Sequence, residues 1–365
     1  MGVLRFFWLS SLWPIVSIEV FFLIVQTTTA WTTTVRTYPP SLSKTTPLND
    51  EQCKRYAQRL GLDTDALQQG GASASKLRDL TEAHLSRIPF DNLRVFGADE
   101  NAPLSMQPQS VANALIDRQR GGVCFELNGL FGNFLNRLGY DVTHVPASFL
   151  EFDKQLGEFK DSPHLFLTVN DEMGQRWLVD VGMGSTSPIH PLALVMNQEQ
   201  HTPEGMRSRL VEHSPTQTRL EIYDCREEHW LPRVEFSTHA MTNDQASSSA
   251  TSSTTTTTTF QQSHLKNIET QTTSLEDKAM QYEDSLEDVF AEGSDFRRMP
   301  VVVKLTRTEM VALVGSQLKV THKRHGTDIE ATTYDCKNVE EVRRILEMEF
   351  GIPWAETDQL TVPGL

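Results

Sequence analysis

The chain has 365 residues, 38% hydrophobic and 22% charged, an ordinary globular composition with length for two or three packed subregions. A net charge of −15 and a pI near 5.2 argue against the broad basic surface that nucleic acid or anionic membrane requires. Four cysteines, Cys53, Cys124, Cys225 and Cys336, lie far apart without a C-x-x-C pair, so neither a zinc site nor a disulfide framework is expected.

Arg5 is followed by an apolar run, Phe6 to Val25, interrupted by serines and Glu19, and small residues lead to Ala30. A basic start, an apolar core and a small-residue exit predict a secretory or ER-type signal over residues 1–30. The alternative is an uncleaved membrane anchor, since the run nears the roughly 20 residues a span needs, and Glu19 weakens it. Residues 31–49 are rich in Thr, Ser and Pro with no acid before Asp50, which resembles a transit peptide. The two together predict a bipartite leader for a plastid surrounded by extra membranes. The mature chain has no expected membrane or nucleic-acid partner unless the leader persists as an anchor.

From Asn49 the pattern turns helical, with Cys53, Tyr56, Ala57 and Leu60 on one face and Gly61 as a stop. A second helix is predicted in KLRDLTEAHLSR, ended by Pro89, and a third over Ser110–Arg118. In the fourth, Phe125, Leu127, Leu130, Phe131, Phe134, Leu135 and Leu138 form an apolar stripe that Gly139 closes. Residues 50–140 therefore read as a helical bundle.

After Tyr140 the period changes to two, through DVTHVPASFLEF, PHLFLTVN, RWLVDVG, TRLEIYD and HWLPRVEF. Residues 141–241 are a predicted antiparallel β region. Residues 242–283, with Thr254 to Thr259 all threonine, cannot bury enough apolar surface to offset ordering entropy and read as a disordered insertion. Residues 284–365 regain strand patterns in MPVVVKLTRTEM, QLKVTHKR and DIEATTYDC, then a helix from Val339 to about Phe350, an α/β unit.

Cys124 stands in RGGVCFELN, between a glycine-rich turn and a helix start, where unpaired N–H groups and the helix dipole favour thiolate. Gly121 and Gly122 are expected to let a substrate approach, with the Cys124 N–H facing the oxygen of a tetrahedral intermediate. The alternative for Cys124 is an inert buried thiol. A nucleophilic cysteine needs a base held by a third group. Folding the hairpin PHLFLTVN-DEM-GQRWLVDVG about Glu172 sets His164 opposite Asp180, with Cβ atoms roughly 4.5–5.5 Å apart. A one-residue slip would send Asp180 to the other face.

RGGVCFELN, SPHLFLTVN and WLVDVGMG, in that order, resemble the arylamine N-acetyltransferase family, as do IPFDNL, with Asp91 where that family has Glu, and the late FGIP. The resemblance implies an α+β, cysteine-protease-like fold: an N-terminal helical bundle, a central antiparallel β-barrel region and a C-terminal α/β lid. It implies Cys124 as nucleophile, His164 as its proton partner and Asp180 as orienter of the imidazole. Acetyl-CoA would be the co-substrate, with no tightly bound cofactor and no metal, and an aromatic amine or hydrazine would collect the acetyl group. Phe125 would line the acceptor pocket or be the first core residue of its helix. Arg120 and Glu126 would form a supporting ion pair, and Gly182 and Gly184 would leave room for the pantetheine arm. A cysteine hydrolase or transglutaminase-like acyl transferase would use the same three residues.

Overall fold

The computed structural model describes residues 48–64, 67, 71–97, 107–153, 158–225, 227–241, 289–290, 294–324 and 327–365. The leader and the Ser/Thr-rich insertion lie outside the described residues. Among the described residues no helix is long and apolar enough to cross a membrane.

Helix α1 (Asp50–Arg59) starts at Asn49, whose side chain accepts from the Gln52 N–H while Gln52 reaches back to the Asn49 N–H. Helix α2 (Ala74–Arg87) is capped by Ser73, and α3 (Pro108–Ala112) runs into a π-helical turn over Asn113–Asp117. The third predicted helix thus starts two residues early, because Pro108 presets the first helical φ. Helix α4 (Cys124–Arg137) is buried on nearly every side rather than along one stripe. The Tyr56 ring from α1 meets Phe134 edge-on at 4.8 Å, and His84 from α2 meets Phe131 at 5.1 Å. These contacts clamp α4 from one side.

From the other side α4 packs on strands. Eight strands form one antiparallel sheet: β2 (Asp141–Asp153), β3 (Glu158–Asn170), β4 (Arg176–Val179), β5 (Leu192–Ala193), β6 (Glu199–His201), β7 (Arg207–Ser214), β8 (Gln217–Asp224) and β9 (His229–Ser237). Their order is β5-β4-β3-β2-β9-β8-β7-β6. The edges meet at Gln200 of β6, whose side chain accepts from the Ala193 N–H of β5 (2.7 Å) and donates to its carbonyl (2.8 Å). The sheet is a nearly closed barrel, filled by Phe166, Phe236, Leu178, Leu210, Leu220 and Val234.

A second sheet has the order β1-β10-β11-β12-β13, with β1 Phe90–Asp91, β10 Val301–Leu305, β11 Glu309–Val314, β12 Gln317–Arg324 and β13 Thr327–Asp335. Helix α5 (Val339–Phe350), capped by Asn338 and ended by left-handed Gly351, packs Val342, Leu346 and Phe350 on it. Strand β1 comes from the helical part of the chain, so the first and last regions share a sheet. Asn92, fully buried, fastens them: its amide donates to the carbonyls of Phe296 (2.8 Å) and Met299 (3.0 Å), and its Oδ1 accepts from the Val301 N–H (2.6 Å).

Candidate active site

The segment before α4 is pinned to β1, because the Asp91 N–H donates to the Gly122 carbonyl at 2.9 Å. Val123 is the N-cap in extended conformation, and its own N–H is taken by Glu126 Oε2 at 3.2 Å. The first intrahelical bond is Leu127 N–H to Val123 carbonyl. The N–H groups of Cys124 and Phe125 precede it, so the positive end of the helix lies at the sulfur-bearing residue. Cys124 is 6% exposed and all four cysteines are free thiols.

His164 on β3 and Asp180, one residue past β4, are both buried and joined by a 2.6 Å hydrogen bond from Nε2–H to Oδ2. The second partner of the imidazole is the Cys124 side chain. Burial pulls the imidazole down, but the charge interactions with Asp180 and Cys124 and the hydrogen bonds to both outweigh it and push His164 up to about 10. Asp180 is saturated on its other oxygen, which accepts from the Gly182 N–H (2.8 Å) and from Asn128 Nδ2 (3.0 Å).

The β3–β4 register pairs Leu167 with Val179 and Asn170 with Arg176, centred on Met173 rather than Glu172. Extended to the active residues, that register sets Gly182 opposite His164 and Asp180 diagonal to it. Moving the centre by one residue shifts the partner by two, which preserves the face, and a diagonal neighbour is within reach of an imidazole.

Asn128, absent from the sequence-predicted site, joins the two halves. Its Nδ2 donates to the Leu165 carbonyl (2.7 Å) as well as to Asp180, and its Oδ1 accepts from the Val181 N–H (3.0 Å). It lies four residues after Cys124, on the same face of α4, which is the signal that could have found it.

The N-acetyltransferase family model matches residues 73–359. The chain belongs to that family. Among similar proteins, proansamycin X synthase of Amycolatopsis mediterranei is 32% identical over 45% of this chain and 60% of its own length. The arylamine N-acetyltransferase / N-hydroxyarylamine O-acetyltransferase of Salmonella typhimurium is 31% identical over 48% of this chain and 61% of its own. The chain thus spans about three-fifths of the length of these curated relatives. The solved arylamine N-acetyltransferase of Mycobacterium marinum in complex with CoA matches with a TM-score of 0.62 at 23% identity, covering 85% of this chain and 95% of that one. The shared fold is the cysteine-protease-like α+β arrangement expected from the motifs.

Within this family member the remaining motif residues lie as follows. Phe125 is 1% exposed and packs with Val123, Cys124, Leu165, Val289 and Phe290, as a core residue does. Glu126 is ion-paired with Arg94 at 2.5 Å. Arg120 is buried beside Asp91, whose carboxyl is pushed up by burial and drawn back by that guanidinium. At Gly121 and Gly122 the place of a side chain is occupied by the protein itself. An added Cβ on Gly121 would strike the Pro89 carbonyl and the Asp91 carboxylate, and one on Gly122 would meet Glu126 Oε2 at 2.8 Å. At Gly182 the place of a side chain is likewise taken, because a Cβ there would lie 2.5 Å from Cys124 Cα. A glycine there allows close approach of the Asp180 loop to Cys124. Gly184, with φ +57°, begins a 3-10 turn over Gly184–Thr186.

Proposed function

We propose that the protein transfers an acetyl group from acetyl-CoA to an aromatic amine or hydrazine through a thioester on Cys124. The observation that carries this reading is the buried His164 imidazole held between Asp180 and the Cys124 side chain. The Cys124 thiolate attacks the acetyl carbonyl, and the helix-start N–H groups stabilise the oxyanion. The C–S bond to CoA then breaks, and the leaving thiolate takes the proton from the His164 imidazolium. In the second half the amine attacks the thioester, gives a proton to His164 and releases Cys124 as thiolate. The sum is acetyl-CoA plus amine giving N-acetylamine plus CoA. Asp180 keeps the imidazole in the tautomer that faces sulfur and balances its charge. The family membership and the CoA complex of the structural neighbour support the donor.

The test is CoA release from acetyl-CoA with and without an aromatic amine or hydrazine. Release that depends on the amine, forms its N-acetyl product and is lost in Cys124→Ala is the expected result. Release at the same rate without amine would replace the reading by a hydrolase. We also assign residues 1–49 to plastid targeting, and a reporter fused to residues 1–60 that stays in the cytosol or is secreted would overturn that assignment.

A further inference from the structure

Glu126 lies in the first turn of the helix that starts at Cys124, and its two carboxylate oxygens have different partners. Oε2 accepts the Val123 N–H at 3.2 Å, and Oε1 accepts from Arg94 Nη2 at 2.5 Å. Valine has no side-chain oxygen with which to cap a helix, so Glu126 caps this one by reaching back from the third helical position. Both partners are withdrawn from water, with the Glu126 and Arg94 side chains 4% and 14% exposed. The same Oε2 lies against Gly122, 2.8 Å from where a Cβ would stand. The carboxylate therefore bears on the two residues that lead into Cys124.

Arg94 is itself held firmly. It belongs to the 3-10 turn Leu93–Phe96, whose Leu93 and Phe96 are buried with Val302, Phe350 and Leu360. The Leu93 N–H donates to Asp91 Oδ1 at 3.0 Å, and the Thr361 N–H donates to the Phe96 carbonyl at 2.7 Å. The other charges nearby are Asp91 and Arg120, and Arg120 is the cation that acts most strongly on Asp91.

A carboxylate two residues from Cys124 has two opposed effects. As a cap it fixes the direction of the N–H groups at the helix start, whereas its charge opposes negative charge on sulfur or on an oxyanion. A cation on the far oxygen cancels the charge and keeps the cap. We infer that Arg94 is a positioning residue for Cys124 that acts through Glu126, holding the capping carboxylate in place and neutralising it toward the sulfur. This deepens the acetyltransferase reading and rests on Cys124 as the nucleophile.

The experiment follows three quantities on the full chain: stopped-flow acetylation of Cys124 by acetyl-CoA, alkylation of Cys124 by iodoacetamide at neutral pH, and the urea midpoint. Arg94→Met, which keeps the stem and removes the charge, should lower the acetylation rate constant about tenfold, less than the roughly 100-fold of deleting an oxyanion donor. Half-saturating acetyl-CoA should change little, and alkylation should slow as well. Arg94→Lys, which restores the charge without the planar fork, should recover most of both rates. In a Glu126→Gln background, whose amide oxygen can still accept the Val123 N–H, Arg94→Met should cost less than about twofold, because no charge is left to cancel. Arg94→Gln carries the same comparison should the methionine variant not fold. A purely structural role would lower the urea midpoint and the acetylation amplitude while the rate constants of the folded molecules stay parental. That result, or an equal loss in both backgrounds, would overturn the inference and leave the acetyltransferase reading intact. A parent protein that is alkylated but never acetylated at Cys124 would remove that reading, and the alkylation rates alone would then decide the role of Arg94.

Discussion

Two polar clusters flank the loop from Asp180 to Ser187, and they are built on opposite terms. At Asp180 both carboxylate oxygens are engaged, by His164, Asn128 and the Gly182 N–H. At Ser187 a buried hydroxyl has no partner among the described residues. The satisfied cluster holds its dipoles fixed, which under the proposed acetyl transfer leaves no reorganisation to accompany the chemistry. The unsatisfied one leaves a buried polar atom whose desolvation is uncompensated. Breaking the first should therefore affect acetyl transfer, whereas Ser187→Ala, which removes an unpaired hydroxyl, should leave transfer unchanged and cost little stability.

The largest effect is expected at the proposed nucleophile and its orienter. Asp180→Asn retains shape but turns one acceptor oxygen into a donor facing groups that already donate. It should lower kcat/KM by about 10³, read by stopped-flow acetylation, while the fold persists. A loss below tenfold would mean that Asp180 is a structural carboxylate.

Asn128→Ala strands the Val181 N–H and the Leu165 carbonyl and frees Asp180 to rotate. The expected cost is about 3 kcal/mol in urea unfolding together with a fall in kcat at little change in KM. A stability loss without any change in kcat would separate Asn128 from the catalytic geometry.

The two cysteines of α1 and α4 give a pH comparison. His164 keeps its proton up to about 10, and an imidazolium beside Cys124 favours nucleophilic sulfur, so a neutral reagent should alkylate Cys124 faster than Cys53 at neutral pH. Cys53 should react appreciably only in alkali, because burial pushes its thiol up and the nearby Arg137 offsets only part of that. Parallel profiles for the two, measured by peptide mass spectrometry, would remove the ion pair from the mechanism.

The smallest effect concerns stability alone. His84, hydrogen-bonded to Tyr56 at 2.5 Å, is lowered to about 3, first by burial and then by Arg59. The unfolded chain takes up this proton near 6.5 and the folded one only near 3. Stability from His84 is therefore complete above 6.5 and is lost as pH falls through that window. His84→Gln should show a shallower drop in urea midpoint between pH 6.5 and 5 than the parent. An equal slope would place the acid sensitivity elsewhere.

What the sequence made legible follows from range. Cys124 was legible because a glycine pair and an apolar stripe mark a helix start within ten residues. His164 and Asp180 were legible because a short hairpin joins them, even though its centre lies one residue from the position first drawn. The lid helix from Val339 to Phe350 matched its 3.6-residue period. Strand β1 was not legible, since two residues carry no periodicity and their partner, β10, is over 200 positions away. Nor was the cavity that Ser187 helps line, whose walls come from separate stretches between 185 and 307 that only barrel closure brings together. Gly121, Gly122 and Gly182 read as openings because glycine marks close approach without saying what approaches. In each case it is the protein's own Asp91, Glu126 or Cys124.

The central claim is a thioester on Cys124, and its most direct test is single-turnover mass spectrometry of the chain from residue 50 onward, mixed with acetyl-CoA and then chased with an arylamine. The account predicts one acetyl group on the peptide carrying Cys124, discharged by the amine and absent in Cys124→Ala. A folded protein that gains no acetyl group at Cys124, or that holds one the amine cannot remove, would contradict it.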